Sequence, residues 1–594
     1  MTFSFLDGCH YRTTGSDIFL LSRMPIFADP AEERSGARLF CEALVNEGVD
    51  TIFGYPGGAV LHIYDELVNF KDSLTHILAR HEQGAVHMAE GYAKVTGKVG
   101  VALVTSGPGA TNTVTGLANA YMDSTPLVVV SGQVPTHLIG TDGFQEIDIV
   151  GITRSCTKYN YLVQSAADIP EIMREAFYLA ASGRPGPVLV DIPKDITAQK
   201  AAVALPDKLN IPGYEPNMLA NEDALEKAME KILAANRPIF YVGGGIIHSG
   251  GVAELRELVE KLSVPITITL MGLSCLPSAH PNCLGMLGMH GTYAANMAIS
   301  EADLIVAIGA RFDDRVTGNL NKFAQGADII HVDIDESSID KNVKAHISLV
   351  GNARDVMGQM LRSLSTKPAP QKGRLDAWWE TIDAWKRFAP LSYEPQPNVI
   401  RPQLLCEEIS RLTDGEAIIS TDVGQHQMWL AQYYKFKHAR YFLTSGGLGT
   451  MGYGFPAALG AKIAYPDRQV IAFVGDGGFQ MTMQELATAV QYRANLKIIV
   501  MNNGFLGMVR QWQEVFYNNN YSEVDMQCQP DFVKLAESFG AVGLRAKHPS
   551  ELTDVLKEGF ATDRVVVFDV VVSQEENVYP MVAPGAGLKE MILG

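Results

Sequence analysis

The sequence lacks the features of membrane-spanning, nucleic-acid-binding and disulfide-stapled proteins. No uninterrupted apolar run approaches the roughly 20 residues of a membrane-spanning helix. Its 48 basic and 66 acidic residues give a formal charge of −18 with no Lys/Arg-rich cluster, which disfavours nucleic acid and anionic membranes as partners. The seven cysteines are scattered and form no CxxC pair, which disfavours a disulfide framework and structural zinc, so we expect a reducing, cytoplasmic compartment.

The remaining composition is that of a large globular protein. With 594 residues, of which 47% are hydrophobic and 19% charged, the chain can hold about three or four domains of roughly 150 residues. Residues 1–33 form an expected N-terminal extension, because Ile18–Leu21 is too short for the core of a signal peptide and acidic residues are unusual in a transit peptide. We interpret this extension as disordered, with Met24 as an alternative start.

Short β-branched runs that end in Gly or Pro alternate with helical periodicity in three successive blocks. This alternation predicts an α/β protein of three domains, each a mostly parallel sheet with helices on both faces. The predicted domains are 34–200, 222–365 and 400–594, and linkers begin at Ala201 and Thr366. The number of strands suggests that the two outer blocks share one architecture. The predicted strands are Val49–Phe53, Val99–Thr105, Leu127–Val130, Val188–Ile192, Pro238–Val242, Pro265–Thr269, Leu304–Ile308, Ile329–Val332, Ala417–Thr421, Tyr441–Thr444, Val470–Val474, Lys497–Met501 and Val565–Val572.

The most informative segment is a glycine turn between a strand and a helix in the third block. The strand Val470–Val474 is followed by Gly475-Asp476-Gly477-Gly478, and the next strand ends in Asn502-Asn503. Parallel sheets bind ligands at the carboxyl ends of their strands, where a glycine turn lets backbone N–H groups approach a phosphate. A carboxylate and an amide oxygen are hard ligands that suit Mg²⁺. We therefore predict a Mg²⁺–diphosphate site at Asp476 and Asn503.

Two other interpretations of these glycines stay open at this point. Gly-Asp-Gly is also common in ordinary turns, and Asn-Asn in helix caps. The segment Gly447–Gly452 fits GxGxxG, follows a predicted strand and precedes Asp476 by about two dozen residues, which is typical of a dinucleotide-binding fingerprint. A nicotinamide-dependent dehydrogenase is the alternative that this motif supports.

The spacing of Gly475-Asp476-Gly477 and Asn502-Asn503 resembles the signature of the thiamine-diphosphate enzyme superfamily. The resemblance implies that Asp476, Asn503 and the main-chain carbonyl of Phe505 bind the metal, together with the cofactor's diphosphate. It also implies that Met451 holds the cofactor bent between its two rings. The implied contacts with thiamine diphosphate are Val423, Gly424, Gln425, His426, Gly449, Met451, Gly475, Gly477, Gly478 and Met508.

Thiamine chemistry also needs a carboxyl group that hydrogen-bonds the cofactor's pyrimidine ring. The segment His81-Glu82-Gln83 precedes the helical run Val86–Val95. This places Glu82 at a predicted helix start, where a Glu also complements the helix dipole without any catalytic role. The superfamily carries its catalytic Glu in a similar segment, across a subunit boundary from the diphosphate. The resemblance therefore implies that Glu82 is catalytic and that the active unit is at least a dimer.

Glycine turns and acidic residues follow successive predicted strands of the middle block, a pattern that suits an adenine dinucleotide but also fits plain turn chemistry. With Gly140–Glu146, Pro193–Asp195 and Leu506–Trp512, these segments resemble the acetohydroxyacid synthase (acetolactate synthase) family over essentially residues 34–594. The resemblance implies FAD in the central domain, without a net redox step. The implied FAD contacts are Gly243, Gly244, Gly245, Met289, His290, Gly291, Arg311, Asp314, Arg315, Asp333 and Ile334.

The implied activity is decarboxylation of pyruvate on thiamine diphosphate, then ligation of the hydroxyethyl carbanion to pyruvate or 2-ketobutyrate. This is the first common step of branched-chain amino-acid biosynthesis. The resemblance assigns acceptor choice to Arg315 and Trp512. It implies a homodimer or homotetramer, a small regulatory subunit, and a C-terminal tail at Tyr579–Ala586 that could order over the site. The residues that it implies along the substrate approach are Phe144, Gln145 and Lys194.

Two alternatives remain beside this activity. A pyruvate oxidase would share the fold and use FAD as a true electron acceptor, but the segments around Arg315 and Trp512 favour carboligation. A non-catalytic regulator that retains the fold is disfavoured because Glu82, Asp476 and Asn503 are all present.

Overall fold

The computed structural model describes residues 32–206, 209, 211–368 and 370–594. Residues 1–31 of the predicted N-terminal extension lie outside the described residues. Within the described ranges, no helix combines the length and the apolar composition that a membrane span requires. The six cysteines in these ranges are not joined to one another by disulfide bonds.

The N-terminal sheet has six parallel strands in the order β2-β1-β3-β4-β6-β5. These strands, β1 to β6 in chain order, are Thr51–Tyr55, Thr75–Leu78, Gly100–Val104, Leu127–Gln133, Tyr159–Leu162 and Pro187–Pro193. The helices of this part of the chain are Gly36–Asn46, Leu61–Leu67, Glu82–Thr96, Pro108–Thr111, Val114–Asp123, Ile149–Thr153, Ile169–Ala181 and Lys194–Ala198. Every residue of β3 is buried, because helices cover both faces of the sheet.

The central sheet is also parallel, and its order is β9-β8-β7-β10-β11-β12. Strands β7 to β12 are Pro238–Val242, Ile266–Ile268, Cys283–Met286, Leu304–Ile308, Asp328–Asp333 and Ile347–Val350. The helices are Glu222–Ala234, Gly245–Ser249, Val252–Leu262, Tyr293–Glu301, Asp314–Thr317 and Ala353–Ser365. In this order the winding reverses between β7 and β10, so their carboxyl ends open the crevice where such sheets bind dinucleotides.

The C-terminal sheet repeats the topology of the N-terminal sheet, with the order β14-β13-β15-β16-β18-β17. Strands β13 to β18 are Ile418–Thr421, Phe442–Leu443, Val470–Gly475, Lys497–Asn502, Val542–Ala546 and Val566–Val571. The helices are Pro402–Thr413, Gln425–Tyr433, Gly454–Ala464, Asp476–Thr482, Leu486–Gln491, Gly507–Phe516, Phe532–Ser538 and Pro549–Ala561. The identical strand order confirms that the two outer blocks share one architecture.

All the predicted strands are present, with ends that differ by a few residues. The five strands that were not predicted, β2, β5, β9, β12 and β17, are all edge strands. Most of their residues are only partly buried, so their sequences lack the continuous apolar run of a central strand. Two short antiparallel pairs lie outside the sheets: Arg34–Ser35 with Lys200–Ala201, and Met581–Val582 with Met591–Ile592.

A helix that the predicted domain boundaries left unassigned packs on the central domain. This helix, Asp376–Phe388, follows the second predicted linker. Its residues Trp378 and Ile382 are buried, and the indole N–H of Trp378 donates to the carbonyl oxygen of Pro238 at 3.1 Å. The connection between the central and C-terminal sheets is therefore partly structured.

Two glycines bring the outer domains into backbone contact. Helix Glu82–Thr96 of the N-terminal domain packs against helix Gly454–Ala464 of the C-terminal domain. A Cβ atom on Gly91 would overlap the carbonyl oxygen of Ala457, and one on Gly460 would overlap that of Met88. Both positions therefore require glycine for this approach.

Replacing Gly91 with Ala is expected to destabilise the protein, because overpacking against a backbone carbonyl typically costs about 1–3 kcal/mol. Thermal melts of the variant should show a lower melting temperature than wild type. The control is Gly358→Ala in helix Ala353–Ser365, where the only neighbour within 4 Å of the Cβ position is a flexible arginine end. That variant should match or exceed wild type, since Ala favours helices over Gly by about 1 kcal/mol; equal melting of the two variants would contradict the prediction.

Candidate active site

The Gly-Asp-Gly turn and the Asn-Asn pair lie at the ends of neighbouring strands, as predicted. Strands β15 and β16 pair in parallel, with Gly475 level with Met501. Asp476 begins the helix that follows β15, and its carboxylate accepts a hydrogen bond from the Gly504 N–H at 2.9 Å. This bond ties the turn after β15 to the segment directly after Asn503.

Burial makes the carboxyl group of Asp476 costly to ionise. The residue is 2% exposed. Desolvation, and to a smaller extent the charge of Asp569, raises its pKa to about 7, although the N–H groups of Gly477 and Gly504 act in the opposite direction. A bound cation would favour the ionised form. The buried surroundings of Asp476 are therefore suited to a positively charged ligand.

Few protein groups surround Asp476 that could bind a metal. Asn503 is buried, and its side-chain oxygen accepts a hydrogen bond from the Phe505 N–H at 3.1 Å. The described part of the chain contains no cluster of three or more His, Cys, Asp or Glu residues that could hold a metal ion. One carboxylate with amide and carbonyl oxygens suits Mg²⁺, which usually keeps water and phosphate oxygens in its shell.

The segment Val423–His426 lies over the glycine turn and carries two unpartnered polar atoms. A Cβ on Gly475 would lie 3.2 Å from Nδ1 of His426. Oε1 of Gln425 and Nε2 of His426 are buried without a hydrogen-bond partner in the described structure. Burial lowers the pKa of His426 to about 3, so the ring is neutral. Unsatisfied buried groups beside Asp476 indicate a polar ligand site.

Residues 445–451, which we call the 445–451 loop, bring Met451 to the same place. Cε of Met451 lies 3.6 Å from the Cβ position of Gly477, and Val423 lies 4.0 Å from that of Gly449. Met508, in the helix that follows Asn503, is partly buried against the core. The structure thus brings His426 and Met451 against the Gly-Asp-Gly turn, and Val423 against the 445–451 loop.

The glycines of the GxGxxG motif are not arranged as a dinucleotide fingerprint. The N–H of Gly447 donates to the carboxylate of Asp123 at 2.7 Å. The N–H of Gly452 donates to Asp422 at 2.8 Å. Because acidic side chains occupy these donors, they are not free to bind a pyrophosphate, which disfavours the nicotinamide alternative.

Glu82 begins helix Glu82–Thr96, as predicted, and is 9% exposed. Its carboxylate accepts a hydrogen bond from the side-chain N–H of Asn112, in the same domain, at 3.0 Å. Glu82 therefore belongs to the N-terminal half of the chain, whereas Asp476 and Asn503 belong to the C-terminal half. Nothing in the sequence around Glu82 points to Asn112, which lies 30 residues away along the chain.

The carboxyl ends of the central sheet open into a cleft of about 430 Å³ that the N-terminal domain also lines. Five predicted FAD contacts line it: Gly244, Gly245, Arg311, Asp333 and Ile334. Burial raises the pKa of Asp333, at the end of β11, to about 6. The lining residues that the sequence analysis missed include Asp123, Ser124, Arg184, His248, Met271 and Asn352. No local motif marks them, because they come together only when the central domain folds and packs against the N-terminal domain.

The other predicted FAD contacts lie outside the lining of this cleft, as far as the described residues define it: Gly243, Met289, His290, Gly291, Asp314 and Arg315. His290 is buried, and its Nδ1 lies 3.2 Å from the carbonyl oxygen of Pro580. The side chain of Asp314 is 80% exposed. These residues extend from the cleft toward the C-terminal tail.

The two residues that are predicted to select the acceptor substrate, Arg315 and Trp512, lie close together across a domain boundary. The guanidinium carbon of Arg315 lies 5.9 Å from the centre of the Trp512 ring, within the range of a cation–π interaction. The side chain of Arg315 is 62% exposed, and its only described ion pair is a long one of 3.8 Å with Asp314. Its charge is therefore largely available to an anionic ligand.

The C-terminal tail is ordered and joins the C-terminal domain to the central domain. The side chain of Gln511 accepts a hydrogen bond from the Val578 N–H at 2.9 Å and donates to the Val578 carbonyl at 3.1 Å. Farther along, the Val582 N–H donates to the carbonyl oxygen of Met289 at 2.8 Å. The tail thus runs between the segments that carry Trp512 and Arg315.

The three predicted substrate-approach residues lie in the N-terminal domain, like Glu82. Phe144 is 89% exposed, an extreme value for an aromatic side chain. Gln145 has a φ of 61° and packs against Gly107, whose Cβ position is 2.9 Å from its Cα. Lys194 begins helix Lys194–Ala198 and is half-buried. Like Glu82, they belong to a different sheet domain from Asp476.

A buried carboxylate that the sequence analysis missed holds the two loops beside Asp476. Asp422 accepts hydrogen bonds from the N–H groups of Val423 and Gly452, at 2.9 and 2.8 Å. A Cβ on Gly478 would overlap its carboxylate. Desolvation raises the pKa of Asp422 to about 6. The sequence feature that could have identified Asp422 is its position directly before the segment Val423–His426.

A buried glutamate, Glu485, lies at the junction of the outer domains and makes the stability of the fold depend on pH. Glu485 accepts hydrogen bonds from the Arg80 N–H at 3.0 Å and from the Thr488 hydroxyl at 2.7 Å. Desolvation raises its pKa to about 7. Because the folded-state pKa is raised, its contribution to stability is complete below the unfolded pKa of about 4.3 and is lost as pH rises through 7.

Replacing Glu485 with Gln should therefore raise the melting temperature above about pH 7 and leave it unchanged near pH 4. The amide keeps the acceptor for the Arg80 N–H, and the Thr488 hydroxyl can rotate to accept from the new donor. Melting curves of both proteins across this pH range measure the difference. A difference that does not grow with pH would contradict the assignment.

Comparisons with known proteins place three family models along the chain. The N-terminal TPP binding domain of thiamine pyrophosphate enzymes matches residues 34–152, the central domain matches residues 225–360, and the C-terminal TPP binding domain matches residues 422–570. The match to the last model includes Asp422, Asp476 and Asn503.

The relatives that match nearly the whole chain are named acetolactate synthase. The acetolactate synthase isozyme 3 large subunit of Escherichia coli is 49% identical over 95% of this chain and 99% of its own length. The acetolactate synthase large subunit of Haemophilus influenzae is 48% identical over 94% of this chain and 98% of its own. The corresponding subunit of Lactococcus lactis is 49% identical over 94% of this chain and 96% of its own.

Proposed function

Because the chain belongs to the acetolactate synthase family of thiamine pyrophosphate enzymes, we propose how its residues carry out that activity. The reaction decarboxylates pyruvate and joins the remaining two-carbon unit to a second 2-keto acid, either pyruvate or 2-ketobutyrate. The products are 2-acetolactate and 2-aceto-2-hydroxybutyrate, and this is the first common step of branched-chain amino-acid biosynthesis.

The observation that carries the proposal is the buried carboxylate of Asp476 beside Asn503 at the ends of β15 and β16. We assign Mg²⁺ to Asp476, Asn503 and the carbonyl of Phe505, and the diphosphate of the cofactor to Val423–His426 and the glycine turn. The unpartnered atoms of Gln425 and His426 support this assignment. When bound, thiamine diphosphate supplies the electron sink for loss of CO₂.

Glu82 is the proposed acid–base residue. The carboxyl group of Glu82 would donate its proton in a hydrogen bond to the pyrimidine ring. Asn112 would orient this carboxyl group through the 3.0 Å hydrogen bond that it donates to one of the carboxyl oxygens. Its place in the N-terminal domain, together with Phe144, Gln145 and Lys194, supports an active site completed by a second copy of the chain. A homodimer is then the smallest active unit, and a homotetramer would pair two of them.

Substrate recognition is assigned to Arg315 and Trp512. The exposed guanidinium of Arg315 can bind the carboxylate of a 2-keto acid in a bidentate manner. The ring of Trp512 offers an apolar wall to the alkyl group of the acceptor. The tail, which passes between their segments, would help to exclude water from the reacting carbon.

We assign FAD to the cleft between the central and N-terminal domains. Gly244, Gly245 and Gly309 lie at the strand ends, where glycine turns accept a pyrophosphate, and we assign the Asp333 carboxylate to the sugar hydroxyls. In this proposal the flavin undergoes no net redox change. We further propose a small regulatory subunit as a partner, because the relatives are named large subunits, and the cytoplasm as the compartment.

An anaerobic assay of the purified full-length protein with pyruvate, Mg²⁺, thiamine diphosphate and FAD tests the proposed function. Acetolactate is the expected product. Formation of acetyl products that depends on an added quinone or oxygen would instead indicate a pyruvate oxidase. Acetaldehyde as the only product would indicate decarboxylation without carboligation.

The variant Asp476→Ala is expected to lose Mg²⁺-dependent binding of thiamine diphosphate, because the only carboxylate of the proposed metal site is removed. Equilibrium dialysis with and without Mg²⁺ measures this loss. The control is Asp467→Ala, which removes an exposed acidic residue of the same domain. Wild-type cofactor affinity in Asp476→Ala would contradict the metal assignment.

The variant Glu82→Gln is expected to lose nearly all turnover while still binding thiamine diphosphate, because only proton transfer at the pyrimidine ring is affected. Turnover and cofactor affinity are measured on the same preparation. Glu171→Gln, at an exposed position of the N-terminal domain, is the matched control. Unchanged turnover in Glu82→Gln would remove this residue from the mechanism.

A further inference from the structure

The 445–451 loop, which carries Met451, has little intrinsic order. It connects the two-residue edge strand β14 to helix Gly454–Ala464, and it takes no part in a sheet. Three of its residues are glycines, and Gly449 has a φ of 76°. Glycine-rich backbone loses more conformational entropy on ordering than other sequences. The loop conformation therefore has to be set by contacts with other parts of the protein.

One buried amide of the N-terminal domain connects the two ends of this loop. The side-chain oxygen of Asn119 accepts hydrogen bonds from the hydroxyls of Ser445, at 2.5 Å, and Thr450, at 3.0 Å. The Ser445 hydroxyl also accepts the backbone N–H of Thr450 at 2.8 Å. Asn119 is fully buried, so water cannot substitute for these bonds. The residue directly before Met451 is thus fixed from another domain.

A neighbouring glutamate determines which way this amide faces. The side-chain N–H of Asn119 donates to Glu90 at 2.7 Å, and the other oxygen of Glu90 is 2.8 Å from Nδ1 of His87. Glu90 and His87 are completely buried. An ionised carboxylate only accepts hydrogen bonds, so the amide has to present its N–H₂ group to Glu90 and its oxygen to the loop.

A second residue of the same helix supports the beginning of the loop. Asp123 lies one turn after Asn119 and accepts the N–H groups of Gly446 and Gly447, at 3.3 and 2.7 Å. Lys94 donates to Asp123 at 2.9 Å and neutralises its charge. One face of helix Val114–Asp123 therefore contacts the loop from Ser445 to Thr450.

We propose that Asn119 is a positioning residue for thiamine diphosphate, which acts by holding the 445–451 loop so that Met451 stays over Gly477. The proposal rests on the proposed function, because it concerns the same cofactor site. Asn119 itself does not touch the cofactor. Its loss should therefore weaken cofactor binding and turnover without unfolding the chain.

The pairing of Asn119 with Glu90 allows a test by exchange of the two groups. In Asn119→Asp, two carboxylates face each other and the donor to Glu90 is lost. In the double variant Asn119→Asp/Glu90→Gln, the amide introduced at position 90 donates to the carboxylate introduced at position 119. That carboxylate still accepts from Ser445 and Thr450. Glu90→Gln alone keeps a carbonyl oxygen that can accept from Asn119, so it should resemble wild type.

The measurement is the Kd of thiamine diphosphate with saturating Mg²⁺, together with acetolactate formation and melting temperature, for the four full-length proteins. Asn119→Asp should bind the cofactor at least 10-fold more weakly, and the double variant should recover to within about 3-fold of wild type. The control is Asn69→Asp, which changes an exposed Asn that also donates to a glutamate, Glu66. It should match wild type.

Wild-type affinity in Asn119→Asp, or no recovery in a folded double variant, would overturn the proposal. If Asn119→Asp does not fold, Ser445→Ala replaces it, since this change removes the loop hydroxyl and leaves the helix intact; unchanged affinity in Ser445→Ala would then overturn the proposal. Failure of the proposed function has a different signature. In that case wild type forms no acetolactate, whether or not the exchange pattern appears in cofactor binding.

Discussion

Burial of one carboxylate at the end of a parallel strand governs the arrangement of the C-terminal domain. An ionised carboxylate without a cation costs several kcal/mol in a protein interior. Asp476 sits in such a place, and the strand register puts Asn503 beside it. Gly477 and Gly478 leave room for Met451 and for the carboxylate of Asp422. The loops around the turn are thus organised for a ligand that combines a divalent cation with phosphate.

The central part of the fold could be predicted from the sequence because its physical signal is local. Strands buried on both faces are continuous apolar runs, and glycine at their ends marks the turns. The Gly-Asp-Gly and Asn-Asn segments could be predicted as one site for the same reason, since adjacent parallel strands end at one edge. Five of the six edge strands escaped prediction because most of their residues are only partly buried, and β5 and β17 have mostly polar or partly exposed residues.

The rest of the candidate site depends on contacts between residues that are far apart in sequence. Ser445 meets Asn119 across 326 positions, and neither residue belongs to a recognisable motif. The N-terminal wall of the proposed flavin cleft arises in the same way, through domain packing. The proximity of Arg315 and Trp512 was expected only from the family resemblance, because nothing in the spacing of these two residues indicates it.

The contact at Gly91 and Gly460 has a consequence for motion. Side chains between packed helices can change rotamers and let the helices slide, but two backbones in contact have no such freedom. The outer domains of one chain should therefore move as a single rigid block. The central domain would then make the opening and closing movement around a substrate. Two linkers and the tail connect it to the block of outer domains.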